Sequence, residues 1–198
     1  MTPQLETRRL ILRPPALADA AAIVRHLNNF AVAGNLARVP YPYTLAHAEA
    51  WLGQQPDDRA PEETQFAIEL RGAGYIGQVG FDQTGGQPEL GYWLGEPFWH
   101  RGLMTEAAGA ALDWLFGASA VSLVRSGVFA FNKASLKVQN KLGFVETGAS
   151  MRHCLARNEE VRHIDTELSR AGWAERRARV QEGWSPAPAG RAAAGDKP

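Results

Sequence analysis

Between Thr64 and Leu94 the chain is punctuated so regularly that few architectures can accommodate it. Three β-prone runs, "TQFAIEL", "YIGQVGFD" and "ELGYWL", are separated by "RGAG" and "QTGGQP", whose glycines suit tight turns. Runs joined this closely pair as antiparallel neighbours, so the spacing predicts a three-stranded meander. In its last strand Glu89, Gly91 and Trp93 share one face, and Leu90, Tyr92 and Leu94 the other. The string "GAGYIG" at 72–77 matches G-x-G-x-x-G. That dinucleotide fingerprint needs a helix opening at its third glycine, whereas "YIGQVGF" has strand chemistry, so a hairpin turn is the better reading.

The flanks complete a mixed α+β domain. "LETRRLILRPP" reads as a strand with Leu10 and Leu12 on one face, stopped by Pro14 and Pro15. A helix follows, with Asp19 at its electropositive start and Ala20, Ile23, Val24 and Leu27 at helical spacing. Residues 28–43 lose all period and read as a loop or broken helix; Thr44 then caps a second helix through Trp51 and Leu52. After the meander, residues 105–116 form a helix whose Met104, Ala108, Ala111, Leu112 and Leu115 make one apolar stripe. A strand near 122–131 leads to a short helix ended by Gly143, with Phe144 packing back, and strands near 145–155 and 160–169 follow. A chain of 198 residues suits one such domain, here residues 1–173. Beyond it lie a basic helix candidate, "AERRARVQ", and a tail too poor in apolar side chains to offset its ordering entropy.

Several function classes fall away. The 21 Lys and Arg balance 21 Asp and Glu, so no broad field points to nucleic acid or a membrane surface. No apolar run reaches the ~20 residues of a membrane span. The N-terminal stretch lacks the apolar core of a secretion signal, and Cys154 has no second cysteine to pair with, so a reducing cytoplasm is expected. None of the five histidines stands at a zinc-like spacing from Cys154, and no metal is expected. Cys154 reads as a small inert residue.

One stretch carries chemistry. Residues 98–105, "FWHRGLMT", contain no acidic residue and run directly into a helix. The unpaired amides of a helix's first turn, with its partial positive charge, form an anion site. Gly102 lets a phosphate approach the main chain, Arg101 adds a charge, and Thr105 offers a hydroxyl or a cap. From this string alone a tight turn followed by a capped helix accounts for the residues equally well.

The pieces "LETRRLILRP", "VPYPYTLAHAEAWL", "YIGQVGF", "ELGYWLGEPFWHRGLMTEA", "NKASLKVQNKLGFVETG" and "HIDTELSRAGW" decide between these readings. In this order they resemble the GNAT N-acetyltransferases, and among them the ribosomal-protein N-terminal acetyltransferases, over about residues 5–173. The resemblance implies a strongly bent, mostly antiparallel sheet with helices on both faces. Its fourth and fifth strands splay, and the pantetheine arm of acetyl-CoA lies in the gap. Main-chain groups of Trp93 and Leu94 would pair with pantetheine amides, and the amides across Arg101, Gly102, Leu103, Met104 and Thr105 would hold the pyrophosphate. The broad family usually has Gln or Arg where this chain has Trp99, so that grip rests on backbone amides and Arg101.

Asn132 and Ser135 match the family's Asn-x-x-Ser at a helix start. Asn132 either touches the ligand or simply caps the helix through the Ser135 amide, and by the resemblance Ser135 would point toward the thioester sulfur and assist thiolate departure. Glu89 corresponds to the family's general base, or else is a solvated strand-end group. An α-amino group, with a pKa near ~8, needs less from such a base than a lysine near ~10.4. Arg38, Tyr41 and Tyr43, with the hairpin at 152–162, would flank the acceptor entrance. The implied activity is direct acetyl transfer from acetyl-CoA to a primary amine, preferably the α-amino group of a protein or peptide, by a monomer or homodimer. The rivals are acetylation of a small amine and a CoA-binding module that has lost catalysis.

Overall fold

A computed structural model describes residues 2–55, 59–84 and 86–182. Among these residues the chain forms eight strands and six α-helices: β1 (Leu5–Glu6), β2 (Leu10–Arg13), α1 (Ala20–Leu27), α2 (Phe30–Ala33), α3 (Leu45–Leu52), β3 (Gln65–Leu70), β4 (Gly74–Thr84), β5 (Gln87–Leu94), α4 (Leu103–Ala118), β6 (Leu123–Phe129), α5 (Lys133–Leu142), β7 (Val145–Cys154), β8 (Glu159–Ser169) and α6 (Arg170–Glu182). They build one sheet in the order β1-β2-β3-β4-β5-β6-β8-β7. All neighbours are antiparallel except β5 and β6, which run parallel and meet at a single pair, Glu89 opposite Arg125.

The expected meander is β3–β4–β5. Gly72 and Gly74 take φ of 80° and 75° at its first turn, so "GAGYIG" is a hairpin turn running into β4. One reading needs correction: "LETRRLILR" is two strands, not one. The Thr7 amide donates to the Leu10 carbonyl at 2.9 Å, closing a tight turn through residues whose side chains gave no turn signal.

Helices cover both faces. On one, the α4 residues Ala108, Ala111, Leu112 and Leu115 pack with Leu10, Leu12, Phe66, Ile68 and Val79, forming the larger core. On the other, Ile23 and Leu27 of α1 and Ala48 and Leu52 of α3 pack on Ala67 and Tyr75. Asp19 stands at the start of α1 but does not cap it; its carboxylate accepts the Ala16 amide at 2.8 Å and Arg13 at 2.7 and 2.9 Å. The Thr44 hydroxyl accepts from the His47 amide, as the cap reading required.

The two helices nearest the gap begin differently from one another. Asn132 caps α5 by accepting from the Ser135 amide at 3.0 Å. The helix ends at left-handed Gly143, and the buried Phe144 packs back as its amide donates to Gln139. At α4 the N-cap is Gly102, with φ of 72° and no side-chain cap. The helix therefore opens at Leu103, two residues before the expected start, and the Thr105 hydroxyl does not cap it. The basic helix candidate lies within α6, whose Trp173 is buried and donates its indole N–H to Asp113. The expected disordered tail lies outside the described residues. Among the described residues no helix is long and apolar enough to cross a membrane.

Candidate functional site

The parting of β5 from β6 creates the most unusual main-chain environment in the fold. The Gly95 amide donates to Ile76, and the register of β5 on β4 is unbroken. Antiparallel pairing alternates, so Trp93, Gly91 and Glu89 turn their main-chain groups to β4, while Leu90, Tyr92 and Leu94 turn theirs toward β6. The Ser126 hydroxyl donates to the Leu90 carbonyl at 2.8 Å, replacing a sheet bond where the strands begin to separate. Beyond it, the amide and carbonyl of Tyr92 and the amide of Leu94 face the gap. The Leu94 carbonyl accepts the indole N–H of Trp99 at 2.8 Å. Trp93 was expected to offer its main chain to this gap; the ladder commits it to β4, and Tyr92 takes that place. Trp99, at the family's polar position, is a strut between the strand end and the following loop.

That loop leads into α4. Its first intrahelical bond runs from the Glu106 amide to Gly102 O, so the amides of Leu103, Met104 and Thr105 precede the ladder. Arg9 braces the turn from outside, donating Nη1 to Arg101 O and Nε to Glu106 at 2.6 Å. Glu106 is thereby kept from neutralising the helix start. Burial pushes its carboxyl upward, but hydrogen bonds from Thr7 and Arg9 outweigh this and hold it below the ordinary range. A carboxyl more acidic in the folded state contributes stability that is complete above the unfolded value of about 4.3, and that is lost as pH falls through the folded value. Glu106→Gln is therefore expected to flatten the acid limb of the stability curve below about pH 4.3. Urea midpoints measured across that limb check this, and an unchanged slope would contradict it.

Across the gap, the Ser135 hydroxyl lies 2.8 Å from the Tyr92 hydroxyl. Burial raises the tyrosine to about 12, so it stays protonated at neutral pH. Behind this pair, fully buried Gln139 donates to Ser126 and accepts from Thr166, both at 2.8 Å, joining α5, β6 and β8. Tyr92 was not singled out in the sequence. Strand alternation placed it opposite Glu89, but only the docking of α5 on that face supplies its partner.

On the opposite face, Glu89, Arg125, Ser126, Arg152, Asp165 and Glu167 line a cavity of about 240 Å³. Glu89 stands at the last paired rung before the strands part, two residues and roughly 7 Å along β5 from Gly91. Arg152 Nη1 lies 3.3 Å from its carboxylate. Asp82, directly across β4 from Glu89, pairs with Arg38, so the structure brings Arg38 to this cavity's rim. Tyr41 lies farther out, edge-on to Phe30, and Arg157 is sandwiched between Phe30 and Phe131. Tyr43 does not join them. It is 7% exposed, packed in the core under α1 and α3, where burial raises its hydroxyl pKa. Cys154 is fully buried against the 34–37 segment.

The sequence profile of the acetyltransferase (GNAT) domain matches residues 9–145. The uncharacterized N-acetyltransferase YoaA of Bacillus subtilis (strain 168) is 29% identical over 157 residues, 75% of this chain and 86% of the relative. Two solved structures share the fold at 20% identity. Ribosomal-protein-S5-alanine acetyltransferase from Vibrio fischeri gives a TM-score of 0.71 over 86% of this chain and 98% of that one. RimJ from Mycobacterium smegmatis, in complex with CoA-disulfide, gives 0.69 over 87% and 89%. Because the matching profile runs from β2 to the start of β7, and so contains the parted strands, the loop before α4 and α5, this chain belongs to the GNAT acetyltransferase family.

Proposed function

We propose that the chain transfers an acetyl group from acetyl-CoA to a primary amine, with the α-amino group of a protein or peptide as preferred acceptor. The parting of β5 and β6 carries this reading: it leaves the main-chain groups of Tyr92 and Leu94 facing a gap bounded by an open helix start and by Ser135. Those groups fit the amides of a pantetheine arm, and the helix start fits a pyrophosphate. Acetyl-CoA would supply the acetyl group activated as a thioester. Arg101 and the amides from Gly102 to Thr105 bind its phosphates, with Leu103 and Met104 contributing through the main chain alone, since their side chains are buried. Asn132 fixes the start of α5 and hence Ser135.

Glu89 accepts the proton of the attacking amine, directly or through a water, because it flanks the gap on the open face. The Leu94 amide is the donor best placed to polarise the acyl carbonyl. Ser135 gives a hydrogen bond to the departing thiolate and is oriented by Tyr92. An α-amino acceptor is favoured because a single carboxylate suffices to deprotonate it, and a fold neighbour is named a ribosomal-protein-S5-alanine acetyltransferase. The small charged cavity beside Glu89 supports a second reading, acetylation of a small polar amine.

CoA release measured over a panel of free-N-terminus peptides and small amines decides between the two acceptors. Independently, CoA at 100 times its dissociation constant is expected to stabilise the fold by ~2.7 kcal/mol. At about 2–4 °C per kcal/mol, thermal melting should then rise by roughly 5–10 °C. No shift at millimolar CoA would remove the donor reading altogether.

A further inference from the structure

The ion pairs lining the cavity beside Glu89 differ from those that brace the fold. Arg13 grips Asp19 through two nitrogens at 2.7 and 2.9 Å, and Arg9 meets Glu106 at 2.6 Å. Arg152, by contrast, reaches across the cavity with Nη1 at 3.3 Å from Glu89 Oε1 and Nη2 at 3.9 Å from Asp165 Oδ1, and its side chain is 40% exposed. It thus sits loosely between two carboxylates carried by strands β5 and β8. Asp165 is held firmly by other groups: His163 Nδ1 donates to Oδ1 at 2.8 Å and the Ser150 hydroxyl donates to the same atom at 3.0 Å. Among the described residues neither Glu89 Oε2 nor Asp165 Oδ2 accepts a hydrogen bond. Arg125, on the same cavity, is engaged by Glu167 at 3.3 Å, so the seat between Glu89 and Asp165 is filled by Arg152, a side chain that gives it up easily, since exposed pairs of this kind are worth little.

From this geometry we infer that Arg152 occupies the seat of the acceptor's ammonium group, that the acceptor displaces it, and that Asp165 joins Glu89 as the second carboxylate of the amine subsite. This rests on the amine-acetyltransferase reading and deepens it. Glu89 and Asp165 together hold the ammonium beside the gap, and Glu89 then takes its proton. Arg152 acts as an internal competitor. It neutralises the two carboxylates until another cation arrives, and it lowers apparent affinity by the fraction of time it is seated. A side chain seated in 70–90% of molecules reduces apparent affinity about three- to tenfold.

The test uses tri-alanine amide, with a free α-amino group, as acceptor probe. Its KM and its calorimetric dissociation constant on CoA-saturated protein are measured for wild type, Arg152→Ala, Arg152→Lys and Asp165→Asn. Arg152→Ala should tighten the probe about three- to tenfold. Arg152→Lys, which keeps a cation in the seat, should stay near wild type. Asp165→Asn should weaken the probe about tenfold or more, while affinity for acetyl-CoA and the melting temperature stay close to wild type in all three. Weaker or unchanged binding by Arg152→Ala would overturn the inference, as would unchanged binding by a folded Asp165→Asn. If wild type turned over no amine, the activity reading would fail while the calorimetric order still decided the displacement.

Discussion

Gly102→Val is expected to bind CoA about a hundredfold more weakly than wild type while remaining folded. Gly102 holds φ of 72° and is the N-cap of α4. A non-glycine residue in the left-handed region costs about 1–2 kcal/mol, and a β-branched one more. At roughly 2–4 °C per kcal/mol the variant should melt lower by at least about 2–8 °C. Space is not the obstacle in the free protein, since a Cβ there meets only Arg9 Nη2, at 3.7 Å. The loss falls on the ligand. A branched side chain at the helix start obstructs a phosphate, and relaxing φ turns the following amides away from it. Losing two charge-assisted bonds at ~1.5 kcal/mol each removes about two decades of affinity. Gly102→Ala keeps most of the strain with less bulk and should lie between the two. Isothermal titration with CoA checks both, and full affinity in folded Gly102→Val would place the phosphates elsewhere.

That prediction could be framed from residue type and spacing alone, and its legibility marks a general boundary. Local determinants were readable: the glycine turns of the β3–β5 meander, the Thr44 and Asn132 caps, the Gly143 stop, and the acid-free run into α4. Each rests on interactions spanning a few residues. The first hairpin was missed because its turn is made by Arg8 and Arg9, which carry no turn signature. The main-chain groups that face the gap were placed one residue off because periodicity assigns side chains to faces but not main-chain groups to neighbours. Only the Gly95–Ile76 bond and the β4 register fix that Tyr92, rather than Trp93, looks into the gap.

The charged cavity lay further from view. Glu89 and Arg152 are 63 residues apart and Arg38 and Asp82 are 44 apart. The first pair meets only because β6, β8 and β7 extend the sheet beyond β5, and the second only because the loop before α3 comes against β4. Tyr43 shows the converse: an aromatic in an aperiodic loop reads as a binding wall until α1 and α3 are seen to enclose it. The loop and helix start proposed for the donor are thus local in sequence, their chemistry being backbone amides before α4. The cavity proposed for the acceptor is not local, because its side chains are gathered by topology.

Glu89→Gln tests that acceptor half, with an expected fall in kcat of about 10²- to 10⁴-fold, the range over which a positioned base contributes. The substitution is nearly isosteric, and the glutamine oxygen can still accept from Arg152, so the cavity should keep its shape. CoA affinity should be unchanged, because the groups assigned to the donor lie on the loop before α4 and on the far edge of β5. A loss confined to kcat marks an interaction made in the transition state, whereas a loss confined to acceptor KM would mark a residue that only binds the amine. Ser135→Ala separates the two ends of the reaction. It should cost less than Glu89→Gln with acceptors whose attack limits the rate, since Tyr92 stands behind the serine and can donate in its place through a water. If both variants bound CoA and matched wild type in CoA release, proton transfer would have to be assigned to other groups. If wild type itself released no CoA with any amine, the parted strands would be a CoA receptor rather than a catalytic cleft. Pre-steady-state acetyl transfer at saturating acetyl-CoA distinguishes these outcomes, because it reports the chemical step before product release can mask it.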